Sequence, residues 1–435
     1  MSGDRAGTEV IAPPGAVRDI ARTLEDAGFE TWCVGGAVRD ALLGHPDLDW
    51  DLATAATPAQ VRRLFKRTVP VGIAFGTVGV LDPHGTMHEV TTFRRDVRTD
   101  GRHAEVEFGA SLDEDLARRD FTVNAIAYST SKRTIHDPFR GRDDLARKVI
   151  RAVGDPEARM REDRLRALRA IRFAARFGFS IEPATWAAIV GSAPHLTRLS
   201  MERVKQELDK TMEQVARPSQ ALALWRSSGA LAQLVPGLAG VTDLTLATVD
   251  AMARPAGEGR PGRGIGRITA LFSELEPREA ARVLRALRAS NHEAKWVEET
   301  LARWRAVDPA LRASLASGRA PDAVTVRRWV AACGRVRVGA VMRLAAARFA
   351  AERGAGVPAP PARAVAALYK RMARAAFGEP VELGDLAIDG DDLRAAGVPA
   401  GPRLGEILHD LLGWVLEDPS RNTREALLAR ALGGR

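Results

Sequence analysis

Along the first third of the chain the spacing of apolar residues changes period every few positions. Residues 16–27 read as an amphipathic helix closed by Gly28, a favoured C-cap residue. Residues 31–34 then predict a short strand, 38–43 a short helix stopped by Gly44, and 51–54 a second strand. Residues 58–65 predict a helix with Thr57 as its N-cap. Two apolar-alternating runs, 76–81 and 87–92, predict a hairpin turning at Asp82-Pro83-His84-Gly85. Beyond Asp155 the period is helical almost throughout, as in 157–177 and 201–212. Segments 254–267, rich in Gly, Pro and Arg, and 354–363, rich in Pro and Ala, predict linkers or exposed loops. No repeat of fixed period is present. The pattern is that of an α/β head followed by an all-helical remainder.

At 435 residues the chain is too long for one ordinary core, which points to two to four domains. With 46% apolar and 27% charged residues it has the composition of a soluble globular protein. No apolar run is long enough for a spanning helix, and the polar stretch Met1 to Gly7 is unlike a secretory signal. Cys33 and Cys333 cannot by themselves make a disulfide framework or a zinc site, so a reducing, cytoplasmic setting is expected. The net charge of +9 suits a polyanionic partner. The excess of Arg over Lys and of Ala could also follow from genome base composition, so the motifs have to decide.

Two stretches carry chemistry. In Gly35-Gly36-Ala37-Val38-Arg39-Asp40 a strand runs into two glycines and a short helix, so backbone amides can approach a phosphate while Arg39 adds a charged fork. An ordinary Gly-Gly strand-to-helix turn has the same sequence. In Asp47-Leu48-Asp49-Trp50-Asp51-Leu52, Asp49 and Asp51 fall on one face of a strand. Adjacent carboxylates repel unless a cation lies between them, and Mg²⁺ takes one or two carboxylates plus substrate phosphates. Such a pair could hold two ions, one activating a hydroxyl and one steadying pyrophosphate. A polar, Asp-rich turn is the alternative. Asp47 lies nearer the turn and ranks lower.

The glycine motif followed by this Asp-x-Asp pair resembles the signature of polymerase-β-type nucleotidyltransferases, and more closely the bacterial class II CCA-adding tRNA nucleotidyltransferase and poly(A) polymerase family. Further motifs agree. Arg118-Arg119-Asp120-Phe121-Thr122-Val123-Asn124-Ala125 is similar to the family's second motif, which implies that Arg119, Asp120 and Asn124 face the ribose and phosphates of the incoming nucleotide. Glu162-Asp163-Arg164-Leu165-Arg166, with Arg169 and Arg172, resembles the nucleotide-selecting motif. On one helix, Asp163 and Arg166 are i, i+3 neighbours and can form one edge: the carboxylate accepts from an exocyclic amine while the guanidinium donates to the adjacent ring atom. Cytosine and adenine present that order of groups, whereas uracil and guanine reverse it. Each good bidentate pair discriminates by roughly 1–3 kcal/mol. A surface salt bridge would explain the pair as well, but not Arg172, which falls on the stripe of Leu165, Leu168 and Ile171. A buried Arg needs an anion, and triphosphate is the one expected, shared with Arg169. Glu89, on a strand, is a candidate third carboxylate, an exposed strand Glu being the plainer alternative.

Segment 70–78 and Leu199-Ser200-Met201-Glu202-Arg203-Val204 are similar to the tRNA-specific members, and 100–116 to the family's flexible loop associated with A addition. The run from Ile388 to Leu408 also resembles CCA-adding relatives, either as a packing motif of the tail or as a hold on RNA backbone. His292 and His409-Asp410 stand isolated, so no metal phosphohydrolase site is expected.

The resemblance thus implies an α/β polymerase-β-like nucleotidyltransferase head (13–150) followed by an all-helical neck (151–215), body (216–318) and tRNA-binding tail (319–435). It implies Mg²⁺-dependent addition of CMP and AMP, from CTP and ATP, to the 3′ end of tRNA, with no membrane and no obligate protein partner. The nucleotide-binding candidates are Gly35, Gly36, Arg39, Arg119, Asp120, Asn124, Asp163, Arg166, Arg169 and Arg172, and Asp49 and Asp51 are catalytic and metal-binding. An A-adding enzyme, a poly(A) polymerase, and a non-catalytic RNA-binding protein with a retired head are the alternatives.

Overall fold

A computed structural model describes residues 11–45, 49–99, 104–252 and 263–433. The head opens with α1 (Gly15–Asp26), β1 (Thr31–Val34), α2 (Gly36–Leu42), β2 (Asp51–Thr54) and α3 (Pro58–Leu64). It continues through β3 (Thr68–Gly72), β4 (Thr77–Leu81), β5 (Met87–Thr92), β6 (Arg94–Thr99), β7 (Ala104–Phe108) and α4 (Leu112–Ala117). Then follow β8 (Ala127–Ser129), β9 (Thr134–His136), α5 (Gly141–Arg147), β10 (Val149–Ile150), α6 (Pro156–Glu162), α7 (Leu165–Phe177), β11 (Ser180–Ile181), α8 (Pro183–Ser192) and α9 (Met201–Gln214).

Seven strands form one mixed sheet in the order β3-β4-β5-β2-β1-β8-β9. Only β2 and β5 run parallel, pairing Leu52 with Val90 and Ala53 with Thr91. α1 forms because Val17, Ile20, Ala21 and Leu24 recur at helical spacing and are all buried; each large aliphatic side chain so buried contributes about 1.5–3 kcal/mol. α3 starts where Thr57 and Gln60 cap one another reciprocally, and α4 where Ser111 and Glu114 do the same. On the face of β1 and β2 that carries Asp51, the core consists of Trp32, Val34 and Ala53 against Phe93, Leu112 and Leu116.

Two expectations change. Segment 100–116 is partly regular: β6 and β7 pair as an antiparallel hairpin, and α4 follows, while residues 100–103 lie outside the described part. The single helix expected over 157–177 is two helices, because Asp163 is extended, at φ −147° and ψ 104°, and its carboxylate caps the Leu165 amide at 3.0 Å.

The chain separates into two compact units, one of residues 1–207 and 220–236, the other of 208–219 and 237–435. The first therefore joins the head to residues 151–207, and the division falls inside α9. The second unit is helical. Its main core runs from Val307 to Leu416, so it crosses position 319 without a break. Of segment 354–363, residues 355–361 form a loop between helices Val338–Gly354 and Ala362–Gly378, both contributing to that core. A separate cluster gathers Leu386, Ile388, Leu393, Leu411 and Leu427. Most of segment 254–267 lies outside the described residues. No helix among those described is long and apolar enough to cross a membrane.

Candidate active site

β2 delivers Asp51 to the sheet with its backbone opposite Val34 of β1. On the other side, the parallel register of β2 with β5 places Glu89 beside Asp51 on the same face. Burial, then the charge of Glu89, then that of Asp49 push the Asp51 carboxyl up to about 6, and the Arg119 guanidinium only partly opposes them. Asp49 is exposed just ahead of the strand, and Asp47 lies outside the described residues. Among the described residues no group of three or more His, Cys, Asp and Glu side chains is placed to hold a metal ion by itself. The donors nevertheless suit a hard cation: they are carboxylate oxygens, and the repulsion that raises Asp51 is what a cation would relieve.

On the β1 flank, Gly35 caps α2 at φ +75° and ψ −133°, a conformation that favours glycine. A Cβ there would also stand 2.8 Å from Arg119 Nη1. Arg119 is anchored by Asp115 at 3.2 Å, while its Nε is buried without a hydrogen-bond partner. Asp115 is 1% exposed and also holds Arg118 at 2.7 Å. Burial raises its pKa, but the charges of Arg118 and Arg119 outweigh that and hold it below the usual carboxylate range.

Five of the remaining candidates, Arg39, Asp120, Asn124, Arg169 and Arg172, join in one polar chain. Arg39 donates through Nη1 to Asn124 Oδ1 (2.5 Å) and through Nε to Asp40 (2.7 Å). Asn124 Nδ2 donates to Asp120 Oδ1 at 2.8 Å, and Arg169 Nε donates to Asp120 Oδ2 at 2.9 Å. Arg169 lies 3.9 Å from Glu207, which accepts from Arg172 Nε at 2.7 Å. Burial raises the Asp120 pKa, yet the Arg169 charge and the Asn124 hydrogen bond leave it below its ordinary value. The guanidinium groups of Arg39, Arg169 and Arg172 lie 5.1, 5.3 and 4.4 Å from the centre of the Phe173 ring. Phe177 stacks on Phe173 and lies 4.6 Å from Arg39.

Several side chains have partners that the sequence did not reveal. Arg172 is buried at 3% exposure as its position on the stripe requires, and the anion it meets within the chain is Glu207. Arg39 is not a free fork, since Asp40, Asn124 and two aromatic rings enclose it. Asp163 and Arg166 do not make one helical edge. Asp163 pairs with Arg203 at 2.7 Å across the helix break, and Arg166 is held by Glu162 at 2.7 Å and by two backbone carbonyls. The sequence reasoning missed Glu207, Arg203, Asp115 and Phe173. Glu207 was within reach, because it falls on the buried stripe of α9 with Val204, Leu208 and Thr211.

Residues 31–151 match the poly A polymerase head domain, 178–241 the probable RNA- and SrmB-binding site of polymerase A, and 379–431 a putative second domain of tRNA nucleotidyltransferase. A CCA-adding enzyme of Levilactobacillus brevis is 36% identical over 416 residues, 95% of this chain and 96% of its own length. The chain belongs to the CCA-adding enzyme family. A CCA-adding enzyme of Lacticaseibacillus paracasei is 50% identical over 200 residues, 46% of this chain and half of that relative. The crystal structure of the Bacillus stearothermophilus CCA-adding enzyme in complex with CTP is similar with a TM-score of 0.77 at 33% identity, covering 98% of both chains. A Thermotoga maritima CCA-adding enzyme complexed with tRNA shares the fold at 22% identity, with a TM-score of 0.68 over 99% of this chain and 98% of that one. Membership of this nucleotidyltransferase family carries a divalent-metal requirement.

Two stability measurements probe the site. Glu207 is the buried carboxylate to which Arg172 Nε donates, so Glu207→Ala should cost about 3–5 kcal/mol in denaturant unfolding, and an unchanged midpoint would refute the pairing. Asp51 behaves oppositely. Its folded pKa, about 6, lies above the 3.8 of an ordinary aspartate, so its ionisation destabilises the fold progressively between those values and by a constant amount above them. The cost above pH 6 is at most about 3 kcal/mol. In chelator, Asp51→Asn should melt higher than wild type at pH 8, the gap closing near pH 4.

Proposed function

We propose that the chain adds CMP and AMP, from CTP and ATP, to the 3′ end of tRNA without a nucleic-acid template. The observation that carries this is the acidic cluster of Asp49, Asp51 and Glu89 beside the buried Arg39–Asn124–Asp120–Arg169 chain, in a fold of the CCA-adding family. Magnesium is the proposed metal, with Asp49 and Asp51 as its protein ligands. When bound, it would neutralise triphosphate charge and ease ionisation of the attacking hydroxyl. The chain's own residues position the reactants. Asp49 and Asp51 mark where the RNA 3′-hydroxyl meets the α-phosphate. Arg119, whose Nη1 lies beside Gly35 and whose Nε has no hydrogen-bond partner, offers a charge-assisted donor to phosphate, and the amides at Gly35 and Gly36 approach the same region. Asp120 and Asn124 face the ribose. Arg169 holds Asp120 ionised, while Arg39 orients Asn124 and Glu207 fixes Arg172 against the Phe173 ring. Such catalysis works mostly by positioning and electrostatics.

Asp163 and Arg166 are the proposed base-reading groups. To read a base they must exchange internal partners, Arg203 and Glu162, for the base's exocyclic amine and its neighbouring ring atom. Template-free selection then rests on which base repays that exchange. The tail and the rest of the helical unit are the proposed tRNA-holding part, and the cytoplasm is the proposed setting. The match of the head to poly A polymerases favours one second reading, in which the same site adds long A tails.

The test uses tRNA lacking its last three nucleotides, with Mg²⁺, CTP and ATP, resolved on a sequencing gel. Extension should stop at three residues, and Asp49→Ala or Asp51→Ala should lower the rate by at least about a hundredfold. Long A tails would establish the second reading, and no extension would refute both. Asp163→Ala should narrow the preference for CTP over UTP by about tenfold, read as a ratio of kcat/KM values.

A further inference from the structure

We infer that the edge of the sheet beyond Glu89 is a platform for the unpaired bases at the RNA 3′ end. This extends the proposed function by assigning its RNA-end subsite. The register carries the geometry. Val69 of β3 faces Gly79 of β4, which faces Glu89 of β5, and the next strand in that row carries Asp51. At the usual spacing between strands, Val69 lies about 14 Å from Asp51 across one face of the sheet. Gly79 contributes no side chain, and Val71 and Met87 close over it: a Cβ there would stand 2.9 Å from Val71 Cγ2 and 2.7 Å from Met87 Sδ.

This strip is apolar and exposed. Val71 is 42% exposed, Met87 41% and Val69 37%, and Phe75, in the turn that joins β3 to β4, is 48% exposed. Seven of the eleven large hydrophobic residues noted as exposed among those described lie in this corner of the head, a concentration that marks a binding surface rather than scatter. Its electrostatics select the partner. No Asp or Glu occurs from Leu52 to Leu81, whereas Arg62, Arg63, Lys66 and Arg67, immediately before β3, are all exposed. Apolar and aromatic groups edged by cations are what single-stranded nucleic acid binds: bases stack and phosphates pair.

Position relative to the chemistry gives the polarity. The glycine turn after β1 and the Asp120–Asn124 segment before β8 lie on one flank of β2, and the strip lies on the other, beyond β5. An in-line displacement puts the attacking hydroxyl opposite the leaving pyrophosphate. With nucleotide on the β1–β8 flank, RNA enters over β5, β4 and β3, and the bases behind its terminal nucleotide rest on Val71, Met87 and Phe75.

The test is nucleotide-free binding of a fluorescently labelled acceptor-stem hairpin with an unpaired CC end, followed by anisotropy across a salt series on the full chain. The double variant V71S/M87S and Phe75→Ala should each weaken binding by about fivefold or more, with the salt slope unchanged. Phe75→Trp should retain affinity. Arg63→Ala should instead lower the slope by about one. Since these side chains are exposed, melting temperatures should stay near wild type. Unchanged affinity in both V71S/M87S and Phe75→Ala would overturn the platform. Wild-type self-association that V71S/M87S abolishes while RNA affinity persists would overturn it too, assigning the strip to a second copy of this chain. RNA-end binding that depends on the strip, in a protein that extends no tRNA, would support the platform and refute the proposed activity instead.

Discussion

Charge balance in a closed space is the constraint on which the first unit depends. Arg39, Arg169 and Arg172 converge around one phenylalanine ring, and three acids answer them: Asp40, Asp120 and Glu207. Stripping water from such ions costs several kcal/mol each, so the cluster survives only if every charge is paired and hydrogen-bonded. The pairing draws α2, the turn before β8, α7 and α9 into a single arrangement. Segments more than eighty positions apart in sequence, such as Arg39 and Asn124, are thereby fixed to within a hydrogen bond.

Against this balanced interior, Asp51 stands out as an acid only partly compensated, by Arg119. Asp115 and Asp120 are buried too, yet their arginines keep them below the ordinary carboxylate range. Asp51 has acids for neighbours and is pushed up to about 6. The fold therefore gives up stability to keep anionic groups together at the start of β2, as a proposed cation-binding site would require. The buried chain supplies the rigidity that such a site needs, because its donors and acceptors are already committed before nucleotide arrives.

Much of the head was legible from the sequence because its signals are local. Period, glycine stops and the Thr57 cap place β1, β2, α1 and α3 within a residue or two. The β4–β5 hairpin follows from alternation and a Pro-Gly turn. What failed was of two kinds. The helix break at Asp163 depends on a cap and on Arg203, forty residues away, and periodicity carries no trace of either. Arg172 was rightly placed inside, but its partner Glu207 sits thirty-five positions on, and a partner at that distance is fixed by packing rather than spacing. The acidic cluster was half visible: Asp49 and Asp51 share a strand face, while the company of Glu89 requires knowing that β5 pairs with β2. The four-part division into head, neck, body and tail came from the family resemblance, and contacts within the chain draw a different line, which falls inside α9 and leaves one core running through position 319.

The central claim is that the buried charge chain which holds this unit together also presets the nucleotide side of the site. A double-mutant cycle on Asp120 and Arg169, using Asp120→Asn, Arg169→Gln and the pair, tests it most directly when each variant is read twice, by chemical unfolding and by equilibrium CTP binding with Mg²⁺. The account predicts a coupling of about 0.5–3 kcal/mol in unfolding and a coupling of the same sign in CTP affinity. Coupling in unfolding alone, with the effects on CTP affinity additive, would contradict it and reduce the chain to a structural clamp.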